Sequence, residues 1–159
     1  MVAPIDSASG ELAFRMAGMG GAAIVVPVFI NGRGPTDLIL DTGATLTCVD
    51  STLARELQLP ERRGTLGMAI GVGGSGRVQL RRVDSIRVGG ALARELTVCA
   101  MDLRALQAVS PNVRGLLGLN VLRNFRVTLD FDRKVLRLAE AGGGRAGPGR
   151  GGLETGARR

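Results

Sequence analysis

Twenty-five of the 159 residues are glycine, and they divide the apolar residues into runs too short for a helical bundle. The run Ala22–Ile30 stops at Asn31-Gly32-Arg33-Gly34, a strong hairpin signal, and resumes over Thr36–Leu40. Val83–Val88 and Leu92–Met101 are divided by Gly89-Gly90. Phe125–Phe131 and Lys134–Leu138 flank Asp132-Arg133. Glu11–Met16 reads as a first short strand, and Thr65–Ile70 and Arg77–Arg81 flank a Gly-rich loop. Helical signals are few. Asp50–Leu57 has a capping residue at its start and Pro60 beyond its end. Leu103–Val109 reads as a short helix or loop, and Leu116–Leu122 as a buried strand end passing into a short helix. The expected class is all-β with one or two short helices. Hydrophobic residues make up 45% of the chain but aromatics only 3%, with no Trp or Tyr, so the core must be aliphatic.

The missing residue types narrow the chemistry. There is no His, which removes Ser-His-Asp triads, Cys-His dyads and HExxH zinc sites. Two cysteines, Cys48 and Cys99, cannot make a four-Cys zinc site. No cofactor and no metal are expected. The net charge of +7 is partly carried by the last nineteen residues, where Arg145, Arg150, Arg158 and Arg159 face one acid, Glu154, among Gly-rich runs. Residues 141–159 therefore read as a disordered tail, residues 1–10 as a flexible N-terminus and residues 11–140 as the folded domain. No aromatic stacking platform accompanies the arginines, so no nucleic-acid partner is expected. No apolar run reaches membrane-spanning length. The N-terminus lacks the basic start and long apolar run of a signal peptide, so the chain reads as cytoplasmic, or periplasmic if it is a trimmed or processed form.

The sharpest feature is Leu38-Ile39-Leu40-Asp41-Thr42-Gly43-Ala44: an acid after three large apolar residues and before Thr-Gly. By itself Asp-Thr-Gly is also an ordinary Asx-turn or cap. The apolar-apolar-Gly pattern recurs at Leu116-Leu117-Gly118, followed by the helix-like Leu119-Asn120-Val121-Leu122. Gly71-Val72-Gly73-Gly74-Ser75-Gly76 satisfies G-x-G-x-x-G, but the residues after it, Arg77–Arg81, alternate like a strand. A dinucleotide fingerprint needs a helix there.

Taken in order, these segments resemble the retroviral-type (retropepsin-like) aspartic proteases and their bacterial single-domain members, over roughly residues 23–138. The resemblance implies a closed, barrel-like acid-protease fold. It implies that Asp41 is the catalytic carboxylate, that Thr42, Gly43 and Ala44 support its loop, and that Met68–Val78 forms a flap. The flap residues Ile70, Gly71, Val72, Gly73, Gly74, Ser75 and Gly76 would then contact an extended peptide or protein substrate. Thr45 stands where viral members carry a second acid, and the C-terminal end is unlike the short viral one.

Metal-free peptide hydrolysis by carboxylates needs two carboxyls sharing one proton. The chain has a single Asp-Thr-Gly, and Asp102 and Asp130 lack the following Thr/Ser-Gly. The expected function is therefore an aspartic endopeptidase whose site forms from two Asp41 side chains across a homodimer. The alternative is a non-catalytic dimeric peptide-binding or regulatory module of the same fold. The resemblance also brings the segments of Cys48 and Cys99 near each other. Two buried free thiols are the expected state, with a disulfide as the alternative.

Overall fold

The computed structural model describes residues 11–63 and 78–140. Ten strands and two short α-helices follow in the order β1 (Glu11–Ala13), β2 (Arg15–Ala17), β3 (Ala23–Ile30), β4 (Arg33–Leu40), β5 (Cys48–Asp50), α1 (Ser51–Glu56), β6 (Gln79–Val88), β7 (Ala91–Met101), β8 (Val113–Leu117), α2 (Leu119–Leu122), β9 (Phe125–Asp130) and β10 (Val135–Glu140). A 3₁₀ turn over Arg104–Ala108 takes the place offered to a short helix or loop. None of the helices in the described residues is long and apolar enough to cross a membrane.

Strands β3, β4, β8, β5, β7 and β6 neighbour one another in that order, and β6 returns to β3 through Phe29↔Arg87 and Ile30↔Ile86. The result is the expected closed barrel, of six strands, with β2 added outside β3. Closure removes the open edges that an aliphatic sheet would otherwise present to other chains. The Asn31-Gly32 signal is realised as a two-residue turn: both residues have positive φ (50° and 74°), and Ile30 pairs directly with Arg33. Asn31 also fastens the barrel seam, its Oδ1 accepting from the backbone N–H groups of Asp84 (2.9 Å) and Ser85 (3.1 Å) on β6.

A second sheet, in the order β1-β10-β9, packs its Leu12, Leu136 and Leu138 into the same core as the barrel's Val26, Val28, Ile30, Leu38, Val83, Ile86, Val98 and Leu117. The single strand expected over Glu11–Met16 is thus two strands in two sheets. Phe14 is the crossing point: it is buried, its N–H donates to the Lys134 carbonyl (2.9 Å), and its ring meets Phe131 edge-on at 5.8 Å. The separate runs Arg77–Arg81 and Val83–Val88 also differ from expectation, because β6 is continuous from Gln79 to Val88.

The sequence offers Asp50 or Ser51 as the cap of α1, and the structure uses Asp50. Its Oδ1 accepts from Thr52 N–H (2.9 Å) and its Oδ2 from the buried Leu103 N–H (3.0 Å), so one carboxylate ties the helix to the segment leaving β7. Burial alone raises its pKa. The two backbone donors, with Arg114 nearby, outweigh that and leave it below the usual 3.8. A depressed folded-state value contributes stability above the unfolded pKa and loses it as pH falls through the folded one. Asp50→Ala is therefore expected to cost about 2–4 kcal/mol near neutral pH, from a lost cap and an orphaned buried donor. The difference from the native chain should shrink below about pH 4. Urea midpoints of both proteins at pH 7 and pH 3 check this; equal midpoints at pH 7 count against it.

Candidate active site

The barrel topology positions the Asp-Thr-Gly loop. Strand β8 lies between β4 and β5, parallel to the first (Ile39↔Leu116, Leu40↔Leu117) and antiparallel to the second (Cys48↔Leu116, Val49↔Gly115). The chain from Asp41 to Thr47 must therefore pass around the end of β8. That end is Gly118, where an added Cβ would lie 2.5 Å from the Leu46 carbonyl carbon and 2.8 Å from the Ala44 oxygen. At Gly115 it would lie 2.3 Å from the Cys48 oxygen. The glycine of Leu116-Leu117-Gly118 is thus a steric requirement of the loop passing over it.

Asp41 follows β4 directly and is half-buried. Its N–H donates to the Leu117 carbonyl (3.0 Å), anchoring the start of the loop to β8. Its Oδ1 accepts from Gly43 N–H (2.8 Å), and Ala44 N–H donates to its carbonyl (3.3 Å). This is an Asx-type turn, and it turns the carboxylate back over its own loop while leaving Oδ2 without a hydrogen-bond partner among the described residues. Thr42 and Gly43 are exposed, and Ala44 is half-buried.

The far side of the loop is held by residues that carry no motif. The first turn of α2 donates to two loop carbonyls, Leu119 N–H to Ala44 (2.8 Å) and Asn120 N–H to Thr45 (3.1 Å). Thr47 is fully buried. Its N–H and its hydroxyl both donate to Asn120 Oδ1, at 2.7 and 2.9 Å, and its hydroxyl accepts from Gly118 N–H at 3.0 Å. Asn120 Nδ2 in turn donates to the Thr97 carbonyl on β7 (2.8 Å). One side chain therefore links the Asp41 loop, α2 and β7. A satisfied buried network of this kind specifies one geometry, because breaking any member strands the others in low dielectric. The available sequence signal was a threonine inside the apolar segment Leu46-Thr47-Cys48-Val49.

Asp102 and Asp130, the other acids weighed against a second motif, are engaged elsewhere. Arg104 forks onto Asp102 and holds its carboxyl down at about 2. Asp130 accepts from Arg133 N–H (2.9 Å) in the β9–β10 turn. The flap residues Ile70, Gly71, Val72, Gly73, Gly74, Ser75 and Gly76 lie outside the described residues, as do the N-terminus 1–10 and the tail 141–159. The expectation of free thiols is corrected. Cys48 and Cys99 stand opposite each other in the parallel β5–β7 pairing, their Cα atoms 4.4 Å apart, and are joined as a disulfide. Burial alone suggested small hydrophobes. The register that sets the two side chains face to face is a tertiary fact.

The model of the family described as Aspartyl protease matches residues 26–121. The crystal structure of a retropepsin-like aspartic protease from Rickettsia conorii is similar at 19% identity and a TM-score of 0.56, over 81% of this chain and 89% of that one. The retroviral protease-like domain of Ddi1 from Leishmania major is 19% identical with a TM-score of 0.48, over 73% of this chain and 87% of that one. EIAV protease complexed with the inhibitor HBY-793 is 21% identical with a TM-score of 0.45, over 64% and 84%. No curated protein sequence matches the chain. The matched span runs from the middle of β3 through the Asp41 loop and β8 into α2, the part of the barrel that builds the loop and its support, and on that match the chain belongs to the aspartyl protease family.

Proposed function

We propose that this protein is an aspartic endopeptidase whose active site forms when two copies bring their Asp41 carboxyls together. The observation that supports it is a single Asp-Thr-Gly per chain, set on an anchored loop with one carboxylate oxygen that has no partner among the described residues. Two close carboxyls share one proton, because both cannot ionise cheaply. The ionised member takes a proton from water as the oxygen attacks the peptide carbonyl carbon. The protonated member gives its proton to the carbonyl oxygen. The tetrahedral gem-diol then returns one hydroxyl proton to the ionised carboxylate as the C–N bond breaks and the leaving nitrogen takes the proton held by the other carboxyl, so the pair ends with its single shared proton.

Thr42 anchors the loop across the dimer axis in this reading, and Ile70, Gly71, Val72, Gly73, Gly74, Ser75 and Gly76 cover an extended peptide or protein substrate. An aliphatic chain without Trp or Tyr suits pockets for apolar side chains. Thr45, in place of an acid, gives the peptide backbone a neutral contact. The cytoplasmic expectation loses the support that free thiols gave it: a disulfide of this kind favours an oxidising compartment.

Digestion of an unbiased peptide library across pH and protein concentration tests the proposal. Cleavage per chain is expected to fall on dilution, in step with dimer dissociation followed by sedimentation. A fully active monomer overturns the shared site. A library left uncut at concentrations where the dimer is populated overturns the enzyme reading in favour of a peptide-binding module.

A further inference from the structure

We propose that the Cys48–Cys99 disulfide is a redox control on the Asp41 loop: the protein is competent when the bond is closed and loses competence when a dithiol opens it. The part that concerns activity rests on the endopeptidase reading above.

The placement of the bond carries the inference. Cys48 directly follows Thr47, the residue whose N–H and hydroxyl grip Asn120 Oδ1. Cys99 N–H donates to the Thr47 carbonyl (2.9 Å), and Thr97, two residues earlier, accepts from Asn120 Nδ2. The disulfide therefore fastens together the two strands between which the loop-holding network is strung. Beside it, the Asp50 carboxylate on Leu103 N–H and the burial of Val49, Val98 and Ala100 in the main core also join these strands. Strand β5 has three residues, and its pairing with β7 is limited to Cys48↔Cys99, Val49↔Ala100 and Asp50↔Met101. Around the sulfurs the apolar packing is a small satellite of Cys48, Val78, Cys99 and Leu103, separate from the main core. A covalent link matters most where the strand pairing is short.

Opening is ordinary thiol–disulfide exchange. A thiolate of the dithiol attacks Cys48 Sγ, the more accessible sulfur (Cys48 is 8% exposed, Cys99 1%). Cys99 leaves as a thiolate and takes up a proton. The second thiolate of the reductant resolves the mixed disulfide. The chain gains two electrons and two protons as two thiols, and the dithiol becomes a disulfide. With the tether gone, β5 is free to shift against β7, and the Thr47–Asn120–Thr97 chain of hydrogen bonds loosens. Asp41 then strays from the geometry that a shared proton requires. Activity is thereby confined to oxidising surroundings.

The test uses the full chain, air-oxidised and after dithiothreitol. Both forms are held at one protein concentration and at a temperature where circular dichroism shows each folded. Reduction is expected to lower kcat about tenfold or more, with KM little changed, since misplacement of the acid affects chemistry rather than binding. Reoxidation should restore it. A Cys48→Val/Cys99→Ala variant, which keeps the site apolar, should show the low value in both conditions. Amide exchange gives a readout independent of catalysis. The N–H groups of Gly118, Leu119 and Asn120 should exchange about tenfold faster or more on reduction, while Val26 and Val28 in β3 stay protected. If those amides quicken but the oxidised protein cuts nothing, the endopeptidase reading fails and the redox control of the loop stands. If they do not quicken, or if β3 loses protection with them, the control is overturned and the bond is a plain staple. Unchanged kcat in the reduced form overturns it equally.

Discussion

Asp41→Asn is expected to lower peptide cleavage about 10⁴-fold, the upper end for loss of acid–base groups, because in a symmetric pair one substitution removes both the acid and the base. The fold should survive it. An Asn side chain offers the same Oδ1 to Gly43 N–H, so the turn that Asp41 now makes at 2.8 Å is kept. The backbone anchors of Asp41 to Leu117 and of Ala44 to Leu119 involve no side chain at all. Stability in urea should stay at the native value or rise slightly, since a like-charge pair is relieved. Initial rates on a cleaved library peptide, with native and variant proteins purified identically, check the first part. Cleavage persisting at the native rate in the variant would rule out a carboxylate mechanism at this loop.

Gly118→Ala and Gly115→Ala are expected to be the most destabilising single substitutions in the described barrel, each costing about 3 kcal/mol or more. The nearest atoms a new methyl would meet are backbone: Leu46 and Ala44 around Gly118, and the Cys48 oxygen at Gly115, where Leu38 Cδ2 and Val49 Cα also crowd the site. Backbone cannot swing aside as a flexible side chain can. At Gly118 the added carbon would press on the carbonyl of Leu46 at 2.5 Å, forcing the loop off β8 and pulling Gly118 N–H from Thr47 Oγ1. Loss of activity should therefore accompany loss of stability at Gly118. Thermal melts of the two variants against the native chain provide the check. A variant melting with the native protein would show that the loop does not pass as closely as the geometry requires.

Much of the local structure was legible in the chain because its causes are local. Alternating aliphatic runs and Asn31-Gly32 produced the β3–β4 hairpin, with two positive-φ turn residues where the dipeptide calls for them. Asp50 capped the first helix, and Gly89 turned β6 into β7. The Asp-Thr-Gly motif and Leu116-Leu117-Gly118 located the loop and the strand end beneath it, because both need specific residue types at fixed places. The strand β5 was missed as a strand, since three residues carry no readable period.

What tertiary structure decided has one physical origin, contact between residues far apart in the chain. Glu11–Ala17 divides between two sheets because Phe14 is drawn into a core it shares with β10, and nothing in the alternation of those seven residues marks the break. The insertion of β8 between β4 and β5 depends on pairing across about seventy residues, and with the bonds from α2 it turns a common turn motif into an anchored loop. Thr47 meets Asn120 at a separation of 73 residues, and Cys48 meets Cys99 at 51; each pair is polar or reactive, and neither has a local partner to announce it. The sequence by itself determined most of the strands, their turns and the place of Asp41. Tertiary packing alone decided which strands flank the acid's loop, what holds that loop still and whether the two sulfurs are joined, because burial and register bring those groups together only after the barrel has closed.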